Sequence, residues 1–122
     1  MTNALSPNRL GERVIYPRLE GITKQCIVGE NEILFQVKYE AVKLHGLEVV
    51  GSSLGDNVDV FILKPNQEVI EKLCSNWNLP KDYYLRPNYY DNNLLKGMYL
   101  KIVYRSIDVK NIGANFLVYE VR

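Results

Sequence analysis

The 122-residue sequence predicts a mainly β protein, an antiparallel sandwich or barrel that carries one short inserted α-helix. Three observations predict it. Short runs with apolar side chains at every second position recur along the chain. Clusters of Gly, Asn, Asp, Ser and Pro punctuate those runs at close intervals. One segment, residues 66–77, departs from the period of two and takes helical spacing instead.

The stretch that organises the rest is Leu44–Leu63, LHGLEVVGSSLGDNVDVFIL. Its apolar runs Leu47–Val50 and Val58–Leu63 flank the polar link GSSLGDN, which reads as two neighbouring strands joined by a turn. Gly55 is expected at positive φ in that turn. Val58, Val60 and Ile62 share one face and Asp59, Phe61 and Leu63 the other, so the second run is expected to be central in its sheet or covered on both sides.

Upstream, residues 1–20 hold Pro7, Gly11 and Pro17 among scattered apolar side chains. Pro17 argues against a central strand there, so this part reads as an extended arm with a short edge strand at Arg13–Tyr16. Residues 21–122 then form the single sandwich domain. Ile22–Val28 is a first strand. Glu32–Tyr39 is the cleanest, with Ile33, Phe35, Val37 and Tyr39 alternating against Glu32, Leu34, Gln36 and Lys38. Gly29-Glu30-Asn31 between these two looks like a hairpin loop. Ala41–Leu44 follows, and Gly46 marks either a bulge in one long strand or a true break.

Downstream of Pro65, the apolar positions Val69, Ile70, Leu73, Cys74 and Trp77 line one helical face. Asn66 stands as N-cap, Glu68 places a negative charge in the first turn, and Glu68 and Lys72 form an i,i+4 pair. The helix Asn66–Trp77 is expected to end before Pro80. Residues 79–93, LPKDYYLRPNYYDNN, read as a structured loop carrying two tyrosine doublets. Gly97–Arg105 and Gly113–Val121 are the closing strands, joined by a turn within Ser106–Asn111.

Composition narrows the function classes. The 47% apolar and 24% charged content is that of a soluble globular domain long enough for its own core. Fifteen basic and fourteen acidic residues leave a formal charge of +1, without the basic surplus of a nucleic-acid binder. No apolar run approaches the ~20 residues that cross a bilayer. The stretch MTNALSPNRLGER lacks the apolar centre of a secretory signal, so cytoplasmic synthesis is expected. Cys26 and Cys74 lie far apart in neutral surroundings and read as two free thiols.

No catalytic motif is present. His45 is the single histidine, which removes most metal sites and most Ser or Cys nucleophile designs. Asp56 and Asp59 lack the glycine and terminal glutamate of an EF-hand loop, and Asp56 reads as a turn residue. The chain is therefore expected to be no enzyme, with no cofactor and no metal. Its working surfaces are expected to be interfaces. Leu5, Leu10 and Tyr16 are apolar residues of an arm that cannot fold alone. Tyr83, Tyr84, Arg86, Tyr89 and Tyr90 have a composition enriched at interface hot spots. Exposed tyrosines also stack on sugars, so a carbohydrate-binding sandwich is the alternative.

The series HGLEVVGSSLGDNVDVFIL, then a variable middle, then GMYLKIVYRSIDVKNIGANFLVYEVR, resembles small β-sandwich structural proteins of tailed-phage virions. Gly51, Gly55, Asp56, Val58, Val60, Tyr99, Leu100, Ile102, Tyr104 and Phe116 carry the likeness. It covers the C-terminal two thirds of the chain, and its motifs are fold motifs. The resemblance implies a jelly-roll-like sandwich in the capsid decoration, neck or tail of a virion. It further implies a homo-oligomer that contacts copies of itself and other virion proteins, made in the host cytoplasm.

Overall fold

The computed structural model describes residues 15–79, 84–85 and 93–121, with side chains for 20–79 and 93–120. Its strands are β1 (Ile15–Cys26), β2 (Gly29–Gln36), β3 (Ala41–Val50), β4 (Asn57–Leu63), β5 (Val69–Asn78), β6 (Tyr84–Leu85), β7 (Leu94–Leu95), β8 (Tyr99–Ser106) and β9 (Lys110–Val121). They form two antiparallel sheets. One has the order β1-β9-β3-β6, with β7 also paired to β3, and the other has the order β2-β8-β4-β5. The pairings nest: β1 with β9, β2 with β8, β3 with β6 and β7, and β4 with β5. That is one long hairpin rolled over on itself, the jelly-roll-like pattern.

The sheets enclose one core. Ile33, Phe35 and Val37 of β2 and its exit, Val58, Val60 and Ile62 of β4, and Leu100, Ile102 and Tyr104 of β8 come from one side. Val42, Leu44, Leu47 and Val49 of β3 and Ile112, Ala114, Phe116 and Val118 of β9 come from the other. The alternation along each strand is what aims these side chains inward. Phe35 and Phe116 stack across the two sheets, with ring centroids 4.8 Å apart. As expected, β4 is interior to its sheet, flanked by β8 and β5. Gly46 is a bulge rather than a break, since the β3–β9 register shifts between Leu44 and Gly46 within one continuous strand.

Three expectations are corrected. The first is the helix. Residues 69–78 form β5, an edge strand, and no helix occurs among the described residues. Pro65 and Asn66 do not start a helix but turn a hairpin. Gln67 N–H donates to the Lys64 carbonyl (2.7 Å) and Lys64 N–H to that of Glu68 (2.8 Å), with Gln67 at φ 70°. This is a type I turn closed by a left-handed residue, the three-residue hairpin loop. Asn66 Oδ1 does accept the Glu68 N–H (2.9 Å), as an N-cap would, but inside that turn. Helical spacing lost because β4 needs a second neighbour for its backbone groups. The strand accommodates the misfit with three register irregularities against β4, and it leaves Val69, Ile70 and Trp77 about half exposed.

The second correction concerns partners. β1 and β2 are not a hairpin, and β3 and β4 are not neighbours; each pair is split between the two sheets. Gly29-Glu30-Asn31 is the beginning of β2, paired with β8. Alternation states which face a residue takes but not which strand lies beside it. The third concerns the end of the arm: the edge strand expected at Arg13–Tyr16 runs on, so residues 15–20 are part of β1, paired from Ile15↔Val121 to Glu20↔Phe116. The rest of the expected arm, residues 1–14, lies outside the described residues. Pro17 is accommodated because β1 is an edge strand.

Candidate functional site

The described residues gather most of their buried polar chemistry at one end of the sandwich. There the β1–β2, β3–β4 and β8–β9 links meet the residue that leaves β5. Asp56, just before β4, is fully buried. One carboxylate oxygen accepts the Tyr104 hydroxyl, the Lys110 ammonium and the Ser53 N–H (3.1 Å). The other accepts the Ile107 N–H (3.0 Å), and the Asp56 carbonyl accepts the Leu79 N–H (2.8 Å). Gly55 at φ 103° turns the chain so that the side chain of Asp56 points inward. Lys110 also bonds Ser53 Oγ (2.7 Å) and pairs with Asp108 (3.2 Å).

A second pin holds the β1–β2 link. Asn31 Oδ1 accepts the Ile27 N–H (2.9 Å), while its amide nitrogen donates to the carbonyls of Ile27 (2.9 Å) and Gly29 (3.1 Å). Cys26 Sγ donates to the Asp108 carbonyl (3.4 Å), which joins this link to the β8–β9 turn. Ser106 Oγ donates to the same carbonyl (2.7 Å). A third cluster lies on the outer face of the second sheet. Arg105 grips Asp59 through two nitrogens (2.9 and 3.2 Å) and reaches Asn57 (3.0 Å) and Asn76 (3.1 Å).

The electrostatics follow from these contacts. Burial alone pushes the Asp56 carboxyl up, but bonds from Lys110, Tyr104, Ile107 and Ser53 outweigh it and hold it below the usual aspartate range. The Arg105 hydrogen bonds do the same for Asp59 against a smaller burial effect. Burial, then the bond to Asp56, drives the Tyr104 hydroxyl well above its ordinary value. A carboxyl with a depressed folded pKa contributes stability above its unfolded pKa of about 3.9 and loses it as pH falls through the folded value. Urea denaturation should therefore show stability holding from neutrality to about pH 5 and falling steeply below about pH 4. The Asp59→Asn variant should have a flatter acid limb; an unchanged limb would show that this carboxylate is not held by Arg105 in solution.

Asp56 and Asp59 are structural in position, each held by the strands and links it ties together. Among the described residues no group of three or more His, Cys, Asp or Glu stands close enough to hold a metal. The ring of His45 lies against Tyr119, with centroids 4.8 Å apart. Cys26 and Cys74 are both free thiols, one buried and one partly so. A depression over β1, β9 and Val50 is lined by apolar residues, the amides of Asn111 and Asn115 and the hydroxyl of Thr23, without a titratable group.

Around the pins, the loop tips themselves are apolar and exposed. Ile27 is 64% exposed, Val28 60%, Leu54 88%, Ile107 56% and Val109 61%. A Cβ placed on Gly55 would stand 3.4 Å from Ile107, so the β3–β4 and β8–β9 tips touch. The sequence reading missed this end. Asp56 was legible as a turn residue, but only the fold brings Tyr104 and Lys110 to it. Of the interface candidates read from the sequence, Leu5, Leu10, Tyr83, Arg86, Tyr89 and Tyr90 lie outside the described residues. Tyr16 and Tyr84 are placed by backbone alone, opposite Glu120 and Glu48.

No family model matches this chain, and no curated protein does. Among solved structures it is similar to the VP2 subviral particle protein of infectious bursal disease virus, at 13% identity and a TM-score of 0.46 over 88% of this chain. The match takes in 32% of that chain, so this chain spans about a third of the VP2 length. It is also similar to PliG, a periplasmic inhibitor of g-type lysozyme from Aeromonas hydrophila, at 13% identity and a TM-score of 0.36. That match covers 88% of this chain and 87% of PliG. With so little shared sequence and such partial superposition, neither likeness says what this chain does.

Proposed function

We propose that this chain is a non-enzymatic structural protein of a virion, a capsid decoration, neck or tail component of a phage particle, and that it works through subunit interfaces. The observation that carries the reading is where its buried polar groups go. Asp56, Asp59, Asn31 and Ser106 are each engaged in tying loops and strands together. None is left as a free base or nucleophile, so the surface is what remains to do the work. The resemblance to small tailed-phage virion proteins supports the particle. Its matching residues are turn and core residues here: Gly51 and Gly55 at positive φ, and Val58, Val60, Leu100, Ile102, Tyr104 and Phe116 in the core.

On this reading the N-terminal arm and the tyrosine segment are contact surfaces to neighbouring subunits. Particles purified from a lysate containing the protein should carry it in stoichiometric amounts, detected by mass spectrometry and antibody labelling. Deleting residues 2–12, or replacing Tyr84 and Tyr89 by Ser, should leave a folded domain that is lost from the particle. Recovery of the parent protein only in the particle-free supernatant would overturn the proposal. Binding of the purified protein to a glycan array, abolished by the tyrosine variant, would replace it with the carbohydrate-binding reading.

A further inference from the structure

We infer that the open edge of β2 is a self-association surface, along which a second copy of this chain lays its own β2 antiparallel about a twofold axis through Leu34. The inference deepens the reading above and rests on it only in expecting copies of the chain to meet. Four strands end the two sheets: β1 and β6 in one, β2 and β5 in the other. β5 shifts register three times against β4, β6 has two residues, and β1 carries Pro17, which has no N–H to donate. Bulges, shortness and proline are how an edge avoids further pairing. β2 has none of the three and pairs with β8 from Gly29 to Gln36 without a break.

The outward backbone groups of β2 are those of its even-numbered residues. Val37 N–H donates to the Met98 carbonyl and its own carbonyl accepts the Gly97 N–H, both at 2.9 Å. Odd-numbered residues therefore face β8, and antiparallel pairing turns the alternate ones to the open side. The Glu32 carbonyl does leave the sheet, and accepts Lys24 Nζ of β1 (3.0 Å). That carbonyl has a second lone pair for another strand. Beside the edge lies a depression of about 290 Å³, lined by Glu20, Gly21 and Ile22 of β1 and by Leu34, Phe35, Gln36 and Lys38. The middle of β2 is thus open to an approaching strand.

The side chains select a second copy as that strand. A twofold axis normal to the sheet keeps each face on its own side, so only residues of one face oppose each other. Centred on Leu34, it sets Leu34 against itself, Glu32 against the partner's Gln36, and Glu30 against the partner's Lys38. Opposite charges across two strands are favourable and like charges are not. Neighbouring registers fare worse. A centre at Glu32 opposes that acid to itself, a centre at Phe35 sets Glu30 on the partner's Glu40, and a centre at Gln36 sets Glu32 on it. A centre at Ile33 leaves Glu32 facing Leu34. On the inner face, Ile33 meets the partner's Phe35, so buried apolar side chains continue from one core towards the other. The layer beneath follows the same rule. Lys24 stands by Glu32 and Glu20 by the Leu34–Lys38 end, so the axis brings Glu20 towards the partner's Lys24. The acids of the edge also have cations of their own on β8, Lys101 for Glu32 (3.0 Å) and Arg105 for Glu30 (3.5 Å).

The test is sedimentation equilibrium of the purified protein at concentrations up to about 1 mM, which reaches weak dimers. The parent is compared with Lys38→Glu, Glu30→Lys and the double variant, after thermal melts confirm that each is folded. The parent should dimerise. Each single reversal places like charges opposite each other twice and should weaken the dimer roughly tenfold. The double reversal, and an equimolar mixture of the two single variants, should recover it. Amide exchange of the parent should slow at Leu34 and Gln36 as concentration rises. A monomeric parent overturns the surface, as does a dimer that neither reversal weakens. Single reversals that weaken the dimer without recovery in the double variant or the mixture overturn the register and with it the twofold pairing. None of these results alters whether the protein is found in the particle, so the two proposals fail separately.

Discussion

Replacing Asp56 by alanine should cost about 3–5 kcal/mol of folding stability, the loss typical of removing one partner of a buried ion pair. The carboxylate is fully buried and holds Tyr104, Lys110, Ser53 and Ile107 at once. Its removal takes from a mostly buried ammonium the nearer of its two carboxylates, leaving it Asp108 and Ser53 Oγ, and leaves a buried hydroxyl and two backbone N–H groups without that acceptor. The deficit is a large part of the ~5–15 kcal/mol that stabilises an ordinary domain, so urea unfolding should shift far to lower concentration. Asp56→Ala combined with Lys110→Met should recover part of the loss, since the mostly buried ammonium that lost its nearer partner goes with the lysine. A single variant within about 1 kcal/mol of the parent would show that water reaches this cluster and solvates it.

Phe116→Ala should be comparably severe, roughly 3–5 kcal/mol. Phe116 is fully buried on β9 and stacks on Phe35 of β2, so the pair joins the two sheets through the middle of the core. Truncation loses the transfer energy of the ring and opens a cavity that two hydrogen-bonded sheets cannot close by moving together. Phe35→Ala should cost less than Phe116→Ala, because the Phe35 side chain retains 5% exposure while Phe116 has none. Chemical denaturation of both and of the double variant would give the coupling between them. A loss of under about 1 kcal/mol for Phe116→Ala would mean that the core repacks around the gap.

Both effects arise in places the sequence marks only partly. The alternation of its run puts Phe116 on one face with Val118, opposite Leu117 and Tyr119, but both faces carry apolar residues, so only the fold shows which one is buried. Asp56 follows a glycine in a polar link and reads as a turn residue, which it is. That it is also the acceptor for Tyr104 and Lys110 was not legible. Those residues stand 48 and 54 positions away in sequence, and a hydrogen bond across that distance has no local signature.

The sequence by itself determined where strands run. Glu32–Tyr39, Ala41–Leu44, Leu47–Val50, Val58–Leu63, Gly97–Arg105 and Gly113–Val121 follow from period two and its interruptions, and fall within or beside β2, β3, β4, β8 and β9. The choice at Gly46 between a bulge and a break was left to the structure. Apolar residues on both faces of β4 marked it as either central in its sheet or covered on both sides, and the strand order made it central. What only the tertiary structure decided was partnership. The nested order that separates β1 from β2 and β3 from β4 places chain neighbours in opposite sheets, and side-chain alternation is the same whichever strand lies alongside. Residues 69–78 show the stronger case. Their spacing is helical, yet β4 has an unpaired edge there, and satisfying its backbone outweighs the propensity of ten residues. Local periodicity sets which way a side chain points; long-range hydrogen bonding sets what it meets.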